Sequence, residues 1–316
     1  MISIIIPTYN NENYLFNTLE SVLNQTSKNW ECIIIDDGSD DGTKEIIQSY
    51  RKKDKRFHSY ERPQHILKGA NACRNIGIEN AEGAFLMFLD ADDLLANTCI
   101  ENRLNQIDKN SAFFIFPMGV LRDSDFTNIK IINRYAGVDE SYLSMFLSYQ
   151  IPWPITSLLL PKANLSIMFS EKLQRFQDVD FSIRLLLNTA EEQIKFCKVE
   201  PDCFYRKDEK NLMKFNDQLF ISKIVTSFSI LVLDLIPILK SKSDKHHIKL
   251  LSKFYKKIYD RYIVNNKGFL NNVPREIELT LYRNDIISKK EIIVYYLKSK
   301  PFIYRLFQLR NFLNLT

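Results

Sequence analysis

The sequence predicts an α/β fold built on a parallel sheet and followed by a mainly helical region. Three observations carry this. Short β-branched runs alternate with helical-period segments through the first half. The run Ala84 to Leu89, with FLMFL at its centre, is apolar throughout, as suits a strand buried on both faces. Near residues 210–220 the pattern changes to long helical stretches rich in Lys, Ile, Leu and Tyr.

The elements follow in order. Ser3 to Ile6 is a β-branched run ended by Pro7. Tyr14, Leu15, Leu19, Val22 and Leu23 recur at helical spacing. Glu31 to Ile35 repeats the strand pattern before Asp36-Asp37-Gly38-Ser39, and Thr43 to Tyr50 reads as a helix with Ile46, Ile47 and Tyr50 on one side. A strand at His58 to Glu61, a helix at Ala70 to Asn80 and the apolar strand complete the alternation, with right-handed crossovers expected. Beyond Asp93, Phe113 to Phe116 and Ile155 to Leu160 read as strands, Asp178 to Leu187 as a helix, and Phe196 to Tyr205 as holding at least one strand. The expected division is a domain at 1–215 and a basic helical region at 216–316.

The chain has 316 residues, 45% hydrophobic and 26% charged, with 8 Gly and 10 Pro. Collagen-like, low-complexity and largely disordered classes are thereby excluded. Its net charge of +5 is unevenly divided: residues 217–316 carry +10 and residues 1–216 carry −5. An acidic body with a basic tail argues against general nucleic-acid binding and directs the tail at an anionic partner. The five cysteines show no C-x-x-C pairing, and the four histidines show no metal-ligand spacing. Met1 to Pro7 lacks a basic n-region, so a cytoplasmic protein is expected. Ile224 to Leu239 is strongly apolar but spans only 16 residues and contains Asp234 and Pro237. A membrane span needs roughly 20 residues, so a buried or interfacial helix is expected.

Ligands of an open α/β sheet bind beyond the carboxyl ends of its strands. Three such ends carry chemistry: Pro7-Thr8-Tyr9-Asn10, Asp36-Asp37-Gly38-Ser39 and Asp90-Ala91-Asp92-Asp93. Five carboxylates on one rim repel each other unless a positive group sits among them. Oxygen-ligated Mg²⁺ or Mn²⁺ meets that need and bridges carboxylates to phosphates. Taken singly, Asp-Asp-Gly-Ser is also good turn chemistry, and Asp92 or Asp93 also suits a helix cap.

Together, PTYN, LESVLNQT, IIIDDGSDDGT, NACRNIGIENAEG and FLMFLDADD stand in an order and spacing that resembles the inverting family 2 glycosyltransferases. The likeness is strong over 1–95 and loose over 96–206. It implies a GT-A fold, a Rossmann-like nucleotide-diphospho-sugar transferase domain. Pro7, Thr8 and Tyr9 would line the nucleotide pocket, with Tyr9 against the base and Asp37 accepting from the imide N–H of uracil. Asp90 would reach the ribose or the metal, Ala91 would lie in the donor site, and Asp92, second aspartate of D-x-D, would be the direct ligand of Mn²⁺ or Mg²⁺. Arg74 would contact the diphosphate or donor sugar, with Lys68 assisting. Asn75 and Gly77 read as packing residues.

The resemblance also implies a base later in the chain. Inverting transfer is a single displacement in which a carboxylate takes the proton of the attacking hydroxyl. The family uses the aspartate of an E-D pair opening a helix. Here Asp178 falls at that aspartate, while Gln177 replaces the acid, which leaves the neighbour's role in acceptor binding open. Trp153, between Pro152 and Pro154, stands where an acceptor-facing loop would lie; it suits either a platform for a sugar ring or a packing role. Tyr205-Arg206 resembles a later segment that approaches the diphosphate, with Asp208 to Lys210 in its loop.

The expected reaction is transfer from a nucleotide-diphosphate sugar, UDP-linked by preference, to a surface-glycan or lipid-linked glycan acceptor. A nucleotide-sugar-binding protein without turnover is one alternative. A sugar-nucleotide pyrophosphorylase is another, although Pro7 to Asn13 lacks the glycines of its phosphate loop. In the basic tail, Lys253, Lys256, Lys257 and Arg261 mingle with Phe254, Tyr255 and Tyr259, and Phe302 to Arg310 repeats the mixture. Such helices suit either an anionic membrane surface at the inner face of the cell membrane or a solvated basic face.

Overall fold

The computed structural model describes residues 1–122, 125–207, 217–264, 266, 270 and 273–298. Asp208 to Lys210 and Phe302 to Arg310 lie outside these described residues. The chain divides into two units: residues 1–142 with 151–211, and residues 143–150 with 212–316.

In the first unit, β1 (Ile2–Thr8), α1 (Glu12–Leu23), β2 (Trp30–Asp36), α2 (Thr43–Lys53), β3 (Phe57–Glu61), α3 (Ala70–Asn80) and β4 (Phe85–Phe88) alternate as the patterning predicts. β5 (Leu94–Leu95), α4 (Cys99–Asn105), β6 (Phe113–Ile115), β7 (Met118–Arg122) and β8 (Asp125–Ile131) follow. Next come β9 (Leu158–Pro161), α6 (Gln177–Leu187), β10 (Ile194–Phe196) and β11 (Cys203–Arg206), while α5 (Tyr142–Leu147) belongs, beyond Tyr142, to the second unit. Seven strands form the main sheet in the order β10-β6-β9-β4-β1-β2-β3, and β5-β11-β7-β8 form a second. Two features depart from expectation. The main sheet is mixed, because β9 runs antiparallel to both β4 and β6. Residues Ile155–Ser157 form a 3-10 turn, so the strand begins only at Leu158.

The chain leaves β1 toward β2 and β3, then returns through α3 to place β4 on the other side of β1. This reversal opens a crevice at the carboxyl ends of β1 and β4. β1 and β2 are buried along their whole length. α3 lies on them so closely that a Cβ at Gly77 would stand 2.3 Å from Ile5 Cγ2, which is why glycine occupies that position.

The base of the unit is tied by one buried ion pair. Arg103 and Asp202 are 0% and 1% exposed and meet through two charge-assisted bonds of 2.9 and 2.8 Å. Arg103 Nη1 also donates to the carbonyls of Thr156, at 3.1 Å, and Leu158. α4, β11 and the approach to β9 are thus gathered on one guanidinium.

In the second unit, α7 (Gln218–Ser241), α8 (Lys245–Ile258), α9 (Val273–Arg283) and α10 (Lys289–Lys298) are described, with a π-helical turn at Tyr259–Ile263. α7 is longer than its apolar core suggests and continues through Pro237. It is long and apolar enough to cross a membrane, with mean hydropathy 2.0 over its most apolar window, half of which is buried. Both a core helix and a span have those properties. Phe228 packs against Phe254 and Tyr255 of α8 at centroid distances of 4.9 and 5.8 Å. α8 is sharply two-sided: Ile248, Leu251, Phe254 and Ile258 are buried, while Lys245, Lys249, Lys253, Lys256 and Lys257 are exposed.

Removing one partner of a buried pair strands the other charge, at a cost of about 3–5 kcal/mol. Asp202→Ala should lower the urea midpoint of unfolding accordingly. An unchanged midpoint would show that the pair contributes nothing to the fold.

Candidate functional site

The crevice is lined from the sheet outward. Thr8 ends β1 opposite Asp36 of β2, and Asp36 stands opposite Glu61 of β3. Leu89 N donates to Ile5 O at 3.0 Å, which carries Asp90 onto the same rim. The two acidic corners and the Pro7-Thr8-Tyr9-Asn10 corner therefore meet at one sheet edge.

Each corner has its own cross-links. Asp36 accepts from Ser39 N and from Ser39 Oγ, which makes it the organiser of the Asp-Asp-Gly-Ser turn. Gly38 in that turn has φ +83°, a backbone conformation suited to glycine. Asn10 and Asp40 bond reciprocally, Nδ2 to Oδ1 at 2.6 Å and backbone N to Oδ1 at 3.0 Å, joining the first two loops. Asp37 is buried, and Arg62 Nε donates to its Oδ1. Pro7 is buried within β1, and the buried Thr8 Oγ1 has no protein partner. Tyr9 is 47% exposed, with Lys68 Nζ over its ring, 3.4 Å from the centroid.

Arg74 is the central cation. It is buried in α3 and its Nη2 donates to Asp90 Oδ1 at 2.6 Å. Its Nε and Nη1 are buried without a hydrogen-bond partner among the described residues. A buried guanidinium with unused donors has a standing demand for acceptors, which phosphate oxygens satisfy well.

α1 fixes the backbone of the D-x-D segment. Thr18 Oγ1 is placed 2.8 Å from the carbonyl of Ala91 and 2.9 Å from that of Asp93. Ser21 Oγ accepts from Leu95 N, and Gln25 bonds both Ala96 O and Ile100 N. Ala91 is thus a buried backbone anchor. Asp93 is buried beside Asp90 and Asp92, and burial together with those two charges pushes its carboxyl well above the usual range, with the Arg206 N–H opposing. Such an excess of negative charge, presented by oxygen donors, fits Mg²⁺ or Mn²⁺. Among the described residues no three acidic, His or Cys groups enclose a common point, so a cation held by Asp90 and Asp92 would need further oxygens from water or phosphate.

Asp178 reaches this site from 88 residues further along the chain. It lies half-buried in the first turn of α6. Burial and the charge of Asp90 push its carboxyl up, while Arg74 and hydrogen bonds from Ile155 N–H and its own N–H oppose. The segment before α6 is clamped by α3: Asn75 Nδ2 donates to Phe169 O at 3.0 Å, Asn75 Oδ1 accepts from Phe169 N at 2.9 Å, and Asn71 Nδ2 donates to Ser170 O. Phe169 stacks on Phe181 of α6 at 4.1 Å, and Phe88 of β4 meets both edge-on. The strand that delivers Asp90 and the helix that delivers Asp178 therefore share one aromatic core. Asn75 and Gly77 act in packing, as their types suggest.

Of the two acceptor-side residues, Gln177 lies next to Asp178 and donates its amide to Leu173 O at 3.2 Å. Trp153 corrects the sequence reading. It is wholly enclosed among Phe113, Tyr142 and Phe196, so it offers no face to a sugar; the flanking prolines shape a core corner instead. Two residues escaped sequence reasoning. Thr18 was signalled by polar Thr18, Ser21 and Gln25 interrupting an apolar helix on one side. Arg62 follows β3, whose carboxyl end joins the same rim, but no motif marks it.

Residues 3–166 match the family described as Glycosyl transferase family 2. An uncharacterized glycosyltransferase of Haemophilus influenzae is 36% identical over 168 residues, 53% of this chain and 65% of that protein. The putative teichuronic acid biosynthesis glycosyltransferase TuaG of Bacillus subtilis is 39% identical over 116 residues, 37% of this chain and 45% of that protein. The chain thus spans less than two thirds of the length of these curated relatives. The crystal structure of S. aureus TarS 1-349 in complex with UDP-GlcNAc superposes with a TM-score of 0.67 at 19% identity, covering 94% of this chain and 86% of that one. That likeness shows the fold, a mixed α/β GT-A-like domain with C-terminal helices. With more than half of its length matched, the chain belongs to glycosyl transferase family 2.

Proposed function

We propose that this protein is a metal-dependent inverting glycosyltransferase that moves a sugar from a nucleotide-diphosphate donor, UDP-linked by preference, to a hydroxyl of a surface-glycan or lipid-linked glycan acceptor. One observation carries the reading. Asp178, Asp90 and the donor-rich Arg74 come together at the crevice from three separate elements, and their charges act on one another.

The chemistry follows from these groups. The acceptor hydroxyl attacks the anomeric carbon, a new C–O bond forms, and the bond to the diphosphate breaks on the opposite face. Asp178 takes the hydroxyl proton; its raised affinity for a proton suits that task. Arg74 directs Nε and Nη1 to the diphosphate or donor sugar, and being fixed by Asp90 it needs little reorganisation. Tyr9 offers a ring face to the base, beside Lys68, and Asp37 an acceptor to the uracil imide. Asp90 and Asp92 would hold Mg²⁺ or Mn²⁺, which when bound stabilises negative charge on the departing phosphate. The likeness to TarS, a structure of which holds UDP-GlcNAc, supports the donor class, and TuaG's printed role supports a polysaccharide product.

The second unit is proposed to meet an anionic membrane surface at the cytoplasmic face, on the support of the lysine face of α8. Nucleic acid is not a proposed partner.

Asp178→Asn should abolish sugar transfer, by about 100-fold or more as for loss of a general base, while UDP binding by calorimetry persists. Transfer at the normal rate would refute the assignment. In Asp92→Ala, UDP affinity should lose its dependence on Mn²⁺. A panel of UDP-, GDP- and dTDP-sugars, scored for released nucleotide, tests the donor; binding without turnover would mark a silent binding protein, and pyrophosphate release a pyrophosphorylase. The full chain should float with phosphatidylglycerol vesicles and not with phosphatidylcholine vesicles, and replacing Lys245, Lys249 and Lys253 by Glu should end flotation.

A further inference from the structure

We infer that Arg62 is the positioning residue that sets base specificity, selecting a pyrimidine with an imide N–H, as in uracil, over cytosine. This rests on the donor reading given above and deepens it.

The observation is a four-point clamp. Arg62 N donates to Asp36 O at 2.9 Å, extending the β2–β3 ladder by one residue past β3. That bond sets the side chain beside the next residue of the β2 corner, Asp37. There Arg62 Nε donates to Asp37 Oδ1. Its Nη1 donates to Pro63 O at 2.9 Å and to Ile66 O. Both side chains are largely buried, 11% exposed for Arg62 and 7% for Asp37. A guanidinium held at three side-chain bonds has few rotamers left, and its Nε therefore holds Asp37 Oδ1 at a fixed point, which restricts the swing of that buried carboxylate.

The loop that Arg62 organises also closes the other side of the base pocket. Residues 62–69 run from the clamp to Lys68, which lies over the ring of Tyr9, and to Gly69, whose φ of +150° turns the chain into α3. One loop thus bounds both the edge read by Asp37 and the face offered by Tyr9. With Oδ1 committed to Arg62, the second oxygen of Asp37 is the acceptor left for a base. Uracil presents its N3–H to that oxygen. Cytosine presents a bare N3 lone pair there, and two acceptors face each other with no proton between them. Discrimination requires that the carboxylate cannot rotate away, and the clamp supplies that rigidity. A site built to hydrogen-bond one group rejects the analogue lacking it because its polar atom is left unpaired.

The test measures UDP and CDP binding to the full chain by calorimetry in the presence of Mn²⁺. The wild-type protein should favour UDP by about tenfold or more, the worth of one hydrogen bond to a charged group. Arg62→Met should weaken UDP and bring the two nucleotides to within about threefold of each other, the discrimination lost with the charged bond. Arg62→Lys, which keeps a cation but lacks the fork, should show the same loss of preference, and it carries the test if the methionine variant fails to fold. Equal weakening of UDP and CDP with the ratio preserved, in a folded variant, would overturn the proposal and leave Arg62 as a fold-stabilising residue. A wild-type chain that binds neither nucleotide would instead refute the donor reading itself.

Discussion

Negative charge crowded onto one edge of a sheet is the constraint around which the first unit is arranged. Asp36, Asp37, Asp90, Asp92 and Asp93 arrive there after β2 and β4, the strands on either side of β1, and mutual repulsion would splay the loops that bear them. The structure answers with local partners. Ser39 takes Asp36, Arg62 takes Asp37, Arg74 takes Asp90, and the Arg206 N–H reaches Asp93. Compensation is incomplete: burial and the charges of Asp90 and Asp92 push the Asp93 carboxyl well above the usual range. An edge balanced in this way keeps an excess of oxygen donors, while Arg74 keeps N–H donors without an acceptor among the described residues.

Rigidity of the edge comes from beneath it. α1 grips the D-x-D backbone through Thr18, Ser21 and Gln25, and α3 grips the approach to α6 through Asn71 and Asn75. Between them the Phe88–Phe169–Phe181 cluster makes the position of Asp178 depend on the same core as that of Asp90. Two carboxylates far apart in sequence are thereby held by packing rather than by loop geometry.

Local signals made the first half legible. β-branched runs ended by Pro7 or Asp36, and a helix from Ala70 to Asn80, are written in short-range periodicity, and the structure follows them closely. That the corners at Pro7-Thr8-Tyr9-Asn10, Asp36-Asp37-Gly38-Ser39 and Asp90-Ala91-Asp92-Asp93 share one rim was legible because parallel strands place their carboxyl ends on the same edge. What was hidden depended on long-range partners. β9 runs against its neighbours, and nothing within Leu158 to Pro161 encodes direction. Trp153 between prolines suited either a sugar platform or a packing role, and only Phe113, Tyr142 and Phe196, which enclose it, decide for packing. Arg62 gains meaning only once β3 is seen to lie beside β2.

The Arg103–Asp202 pair has a consequence for how the chain matures. Its two halves are separated by 99 residues, and the carbonyls of Thr156 and Leu158 that Arg103 also binds lie between them. The family match ends at residue 166, before the counter-ion has been made. During synthesis, every aspartate of the sheet edge, and Asp178 as well, leaves the ribosome before Asp202, the anion of Arg103. The interior around Arg103 therefore closes only when β11 arrives, and a shorter piece would carry an unneutralised guanidinium in its core.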